Sequence, residues 1–279
     1  MTNVTKCFKT VLATGFFFAG TAASQAQFGN IMLENWDAGP IGDLQTSGYT
    51  GAWDSVGFHP SWPEGSAGGL NGIAEIRTDS DNLFNRGTSN QILLLEEAAG
   101  FNFNFTMPSG IEVATLSYET YVLGFTSGYT DRLTKRFFVG GDTAINHGFQ
   151  NTSDTEFRVR NEDPDRFDLD TFYHFDVIVN NSPDTITYAG GETLDPGLTA
   201  VWVNGNLSAV YDFGRTGGLG AGELDSFTME TFSNNPWSAF YDNIAITEGA
   251  FVIPEPSTYA LFFGLGVLGL ASFLRRHRK

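Results

Sequence analysis

The side chains best equipped for chemistry in this chain are carboxylates, a few histidines and scattered tryptophans. Two acidic runs, Asp79-Ser80-Asp81-Asn82 and the stretch from Asp163 to Asp170, set oxygen donors close together. Ca²⁺ is a hard cation that gathers several such oxygens. Asp79, Asp81, Asp165, Asp168 and Asp170 are therefore candidate ligands, and one structural calcium ion is the candidate cofactor. Neither run has the glycine and closing glutamate of an EF-hand loop, and solvated turns are the competing reading. Acid–base or nucleophilic catalysis needs paired carboxylates, or a histidine oriented by an acid. Glu96 and Glu97 point to opposite faces if they lie in a strand, and Glu119 stands alone. His59 sits among Pro, Trp and Gly, His147 lies in Asn-His-Gly, and His174 stands beside Asp176, expected to face solvent. None has the setting of a triad, and no catalytic residue is assigned. Trp53, Trp62 and Trp237 are candidate platforms for stacking on sugar rings. Trp62 is the best placed of these, in the loop-like run His-Pro-Ser-Trp-Pro-Glu-Gly, whereas Trp202 falls in a strand where core and sheet surface are both open.

The elements that must position these residues are strands. Residues 27–252 show no sustained helical periodicity; short alternating segments bounded by Gly, Pro, Asn and Asp recur instead. Phe101-Asn102-Phe103-Asn104-Phe105-Thr106-Met107 alternates most clearly. Ala114, Leu116, Tyr118 and Val122 form one inward set, and Tyr173, Phe175, Val177 and Val179 another, with His174 and Asp176 facing out. Further strands are expected near 31–36, 72–76, 91–96, 134–139, 155–160, 225–232 and 239–246. Asn204-Gly205 supplies the two positive φ angles of a type I′ hairpin turn. Loops are expected near 58–71, 140–154, 161–171 and 183–197. A dozen short strands predict an all-β fold, a two-sheet antiparallel jelly-roll sandwich.

Both ends read as processing segments. Lys6 and Lys9 precede an apolar run from Val11 to Ala19, and Ser24-Gln25-Ala26 offers small residues for signal peptidase, so 1–26 is read as a signal peptide. The only cysteine, Cys7, leaves with it, and the middle is without thiol chemistry or disulfides. Between residues 27 and 252 stand nine basic and 31 acidic residues, a charge of about −22 against −17 for the whole chain. Such a surface repels phosphate backbones and excludes nucleic acid as a partner.

The final residues form three blocks over 253–279. Pro254, Glu255 and Pro256 come first, then the uncharged run 257–274, then Arg275, Arg276, Arg278 and Lys279. At about 1.5 Å per residue the run reaches a length close to the ~30 Å hydrocarbon core, and the basic cluster favours a cytoplasmic terminus. These blocks resemble the PEP-CTERM family of sorting tails. The resemblance implies recognition by an exosortase, cleavage near Pro254-Glu255-Pro256, transient anchoring in the inner membrane by the C-terminal helix, and delivery to the cell surface or an exopolysaccharide matrix. In the middle, FYHFDVIVNN followed by LTAVWVNGNLSAVYDF, and the later FYDNIAIT, resemble strands of concanavalin A-like and laminin G-like domains. That superfamily includes sugar-binding modules, glucanases and lyases. Its glucanase pattern E-x-D-x-x-E and its lyase signatures R-x-E-L, Q-I-H and Y-F-K-x-G are absent here. The sequence therefore predicts a non-catalytic structural or adhesive surface protein with polysaccharide as a partner. A carbohydrate-active enzyme, hydrolase or lyase, is the alternative.

Overall fold

The computed structural model describes residues 30–58, 73–96, 101–125, 133–139, 142–151, 153, 155–159, 165–188, 191–212, 221–231 and 237–250. In chain order the strands are β1 (Asn30–Glu34), β2 (Gly42–Asp43), β3 (Ser55–Phe58), β4 (Ile73–Thr78), β5 (Gln91–Glu96) and β6 (Phe101–Thr106). There follow β7 (Val113–Phe125), β8 (Leu133–Val139), β9 (Asp142–Asn151), β10 (Glu156–Val159), β11 (Phe167–Asp168) and β12 (Phe172–Asn180). The last are β13 (Ile186–Thr187), β14 (Thr193–Leu194), β15 (Leu198–Val203), β16 (Asn206–Asp212), β17 (Ser226–Thr231) and β18 (Trp237–Glu248). One helical turn, α1 (Leu44–Ser47), interrupts them.

Two antiparallel sheets result. A nine-stranded sheet runs β16-β15-β12-β7-β18-β5-β4-β2, with β1 also paired to β18; a seven-stranded sheet runs β11-β10-β9-β8-β17-β6-β3. They pack face to face because each strand alternates and both sheets turn their aromatic faces inward. Phe175 of β12 stacks on Tyr118 of β7 with ring centroids 5.2 Å apart and planes 8° from parallel. Across the gap, Phe149 of β9 lies 5.2 Å from Phe175. Phe101 and Phe103 of β6 are buried as their alternation requires. Such rings carry most of the energy of the core, since deleting one buried phenylalanine side chain costs about 3–5 kcal/mol.

The predicted hairpin is present. Val203 pairs with Asn206, and Asn204 and Gly205 have φ of 49° and 75°. Its Asn204 side chain also accepts the His174 N–H at 2.8 Å, tying the turn to the start of β12. Two expectations need correction. Residues 142–151, read as loop from their Gly, Asp and Asn, form the strand β9. Pairing on both edges, with β8 and β10, outweighs its weak intrinsic preference. Ser55–Phe58, within no predicted strand, completes the edge of the seven-stranded sheet beside β6. Among the described residues no helix is long and apolar enough to cross a membrane. Residues 1–26, expected to be a signal peptide, and the tail of 253–279 lie outside the described residues.

Candidate functional site

The outer face of the nine-stranded sheet holds a concentration of interacting charge. Strand alternation puts Leu116 and Tyr118 inward, so Ser117 and Glu119 of β7 point the other way. Cross-strand register then sets His174 of β12 on one side of Glu119 and Asp242 of β18 on the other. One row below, Asp176 stands opposite Ser117. Three carboxylates and an imidazole therefore share one patch, and none of the acids is solvent-facing: Glu119, Asp176 and Asp242 are 8%, 0% and 1% exposed.

Burying carboxylates is costly unless each is paired and hydrogen-bonded. Each is. Arg86 donates to Glu119 in a two-pronged contact, Nη2 to Oε1 at 2.6 Å and Nε to Oε2 at 3.2 Å. Asn243 Nδ2 adds a third bond to Glu119 at 2.7 Å. That bond exists because β18 carries a bulge: Asp242 faces Glu119 while Ala245 faces Ser117, one residue too many, and Asn243 takes up the excess at φ 48°. Asp242 accepts from Asn90 Nδ2 at 2.9 Å and from the Asn243 N–H at 2.8 Å. Asp176 accepts from Ser117 Oγ and lies 3.2 Å from His174 Nε2.

Burial raises the Asp242 carboxyl to about 7, against the pull of its bonds from Asn90 and the Asn243 N–H; the neighbouring Glu119 charge adds to the rise. For His174, burial, aided by the Arg86 charge, acts to lower its pKa. The bond to Asp176 and the charges of Asp176 and Glu119 outweigh it, and the imidazole sits above its ordinary 6.5. Although Ser, His and Asp meet here, the order is wrong for a nucleophile. The carboxylate lies between serine and imidazole, and Ser117 gives its proton to Asp176 rather than to a histidine base.

Arg86 and Asn90 come from residues 79–90, the connection between β4 and β5. Its ends are joined by the Asp79 N–H to the Asn90 carbonyl at 2.7 Å, which makes it a compact Ω-type loop. Asp79 builds the loop from within, accepting the Leu83 and Phe84 N–H groups at 2.8 and 3.0 Å. Phe84 is buried against Ile92, Leu94 and Phe240 on the sheet's outer face.

The sequence-predicted residues fare differently. Asp79 turns both its carboxylate oxygens to backbone donors of its own loop, and Asp81 is exposed beside it. Asp165 accepts from Ser208 Oγ at 2.8 Å, and Asp168 in β11 and Asp170 in the turn after it are exposed. Among the described residues no three His, Cys, Asp or Glu side chains converge as a metal site. Trp53 is not available to a sugar: it is 3% exposed, with Phe103 and Phe227 at 5.1 and 5.9 Å covering its ring. Trp202 packs edge-on against Tyr188, beside the cluster of Ile178, Leu194 and Ala200. Trp62 lies outside the described residues, and for Trp237 only the backbone, paired with Phe125, is described. Nor does Glu119 stand alone, and Asp176, expected to face out, is covered. The charged patch escapes sequence reading because its partners are distant along the chain, 33 residues for Arg86 and 124 for Asn243. One signal is visible: Asp242-Asn243 interrupts an otherwise apolar strand, which an unpaired acid could not do.

Beyond the sandwich, residues 252–279 match the family model described as the PEP-CTERM protein-sorting motif. The chain carries a PEP-CTERM sorting tail. The PEP-CTERM match includes Pro254, Glu255 and Pro256 and the basic cluster from Arg275 to Lys279, and it marks the protein as exported and sorted to the cell surface. No curated protein matches the chain. Among solved structures, the conserved carbohydrate esterase vb_24B_21 from Shiga toxin-encoding bacteriophage phi24B aligns at 11% identity. It covers 80% of this chain and 100% of its own, with a TM-score of 0.49. Alginate lyase Aly36B aligns at 12% identity over 80% of this chain and 98% of its own, TM-score 0.46. Domain 4 of AbnA, an extracellular arabinanase from Geobacillus stearothermophilus, aligns at 14% over 81% and 95%, TM-score 0.42. Similarity at this level assigns no chemistry to this chain.

Proposed function

We propose that this protein is a non-catalytic structural or adhesive component of the cell surface or extracellular matrix, a lectin-like jelly roll that meets polysaccharide through its loops. In this reading signal peptidase removes residues 1–26, and residues 27–252 form the displayed domain. Residues 257–274 hold it transiently in the inner membrane until an exosortase acts near Pro254-Glu255-Pro256. The observation that carries the reading is the sorting motif at 252–279. The buried, fully bonded state of Glu119, Asp176 and Asp242 supports the absence of catalysis, because a substrate must touch the acid that protonates it. Calcium in a loop remains part of the proposal as a ligand to be tested.

One observation favours the second reading, a carbohydrate-active enzyme. Asp242, raised to about 7, neighbours Glu119 on the adjoining strand, which is how a glycosidase separates its acid from its nucleophile. A glycan array probed with the full chain, with and without calcium, together with a polysaccharide panel assayed for released ends, separates the two. Binding without product is the expected result. Turnover abolished by Glu119→Gln would replace the first reading with the second, and neither binding nor product would leave a purely structural role.

A further inference from the structure

The loop of residues 79–90 is fixed to the sheet by two different kinds of contact. Phe84 is an apolar plug, 5.7 Å from the Phe172 ring in an edge-to-face contact and packed with Phe240. Arg86 and Asn90 are polar hooks, and both engage carboxylates that the sheet itself buries. The loop has no sheet partner of its own beyond the bond joining its ends, and most of it is exposed. Its attachment to the sheet is thus concentrated in one plug and two hooks.

We infer that residues 79–90 form a proton-dependent strap, latched over the outer face of the nine-stranded sheet by Arg86 and Asn90 and loosened as the surroundings turn alkaline. The charge count gives the direction. Facing the hooks are Glu119 from β7, Asp242 from β18, and His174 and Asp176 from β12; Asp37, in the segment after β1, also acts on Arg86. With Asp242 and His174 both protonated, Arg86 and His174 balance Glu119 and Asp176. With both deprotonated, Arg86 alone faces three buried carboxylates; the Arg86 charge and the Asn90 bond favour the ionised Asp242, and burial and the Glu119 charge outweigh them. Repulsion among those acids then acts against closing the patch, and it is relieved by letting water in where the strap now lies. The geometry stands without any titration value; the raised Asp242 and His174 place the transition near neutral pH. Opening would uncover Tyr121, Phe172 and Phe240, now packed beneath Leu83 and Phe84. The strap does not depend on whether the domain binds a glycan.

Hydrogen exchange read by mass spectrometry on the full chain in detergent tests it, at pH 6.0, 7.0 and 8.5 (about the range set by His and the raised acid) with intrinsic rates corrected. Protection of the Leu83 to Asn90 amides is expected to fall about tenfold or more across that range, while β7 and β12 amides hold. Asp242→Asn should flatten the pH dependence, and Arg86→Met should lower strap protection at every pH. Unchanged protection of the wild-type strap overturns the inference, as does an equal loss in β7, which would signal global destabilisation. A pH slope that survives Asp242→Asn overturns the role of Asp242. If that variant fails to fold, the wild-type profile decides alone, with Glu119→Gln expected to shift its midpoint.

Discussion

The two faces of β7, β12 and β18 are built on opposite plans. Inward, Tyr118, Phe175 and Tyr241 belong to one continuous apolar core supplied by both sheets. Outward, the same strands carry three separate patches: the Phe84 plug, the charged row, and a small cluster in which Ile178 and Ala200 meet Tyr188 and Leu194. The inner face is held by area and shape, which many apolar residues could supply. The outer face is held by particular partners, so its loss is specific to one loop and conditional on pH. Stability should reside mainly in the first and responsiveness in the second.

A weak core would undo this contrast most visibly. Phe175→Ala should destabilise the fold by about 3–5 kcal/mol in urea unfolding, since the ring is fully buried between Tyr118 and Phe149. A loss below about 1 kcal/mol would show that the inner face is not the main store of stability. On the outer face, Asp176→Ala should cost about 1–3 kcal/mol, because Ser117 and His174 lose a buried acceptor.

A pH series sharpens the contrast. Asp242 has a folded pKa of about 7 against 3.8 free, so the folded state takes up its proton first. The stability linked to that proton is complete below about 4 and disappears as pH rises through about 7. His174, raised above 6.5, acts in the same direction, its contribution present below 6.5 and lost above its folded value. Urea midpoints should therefore be higher at about pH 5 than at about pH 8, and Asp242→Asn should shrink that difference by on the order of 2 kcal/mol. An unchanged difference in the variant would assign the pH effect to the general acidity of the chain. The smallest expected effect is Asn204→Ala, about 1 kcal/mol, from strain at φ 49° and the lost bond to the His174 N–H. Thermal melts resolve it, and it should be independent of pH.

Much of this architecture is legible in the order of residues along the chain. Alternation locates β6, β7, β12, β17 and β18, because a period of two is imposed wherever one face is buried, whereas β5 shows as an unbroken apolar run buried on both faces. The Asn-Gly pair announces its hairpin for a local reason, the positive φ that few other residues adopt. β9 is not legible, since its Gly and Asn residues are held in a strand by neighbours on both sides. The charged patch is unreadable for a related reason: Glu119 looks solitary until a loop 33 residues earlier brings Arg86 to it.

The sequence alone determined the strand pattern, the acidity and the sorting tail, all of which are properties of composition and near-neighbour order. Only the tertiary structure decided which polar residues are buried, that Trp53 is core, and that residues 79–90 close over a row of acids. Those outcomes depend on register between distant strands and on where loops fold back, and local sequence carries no record of either.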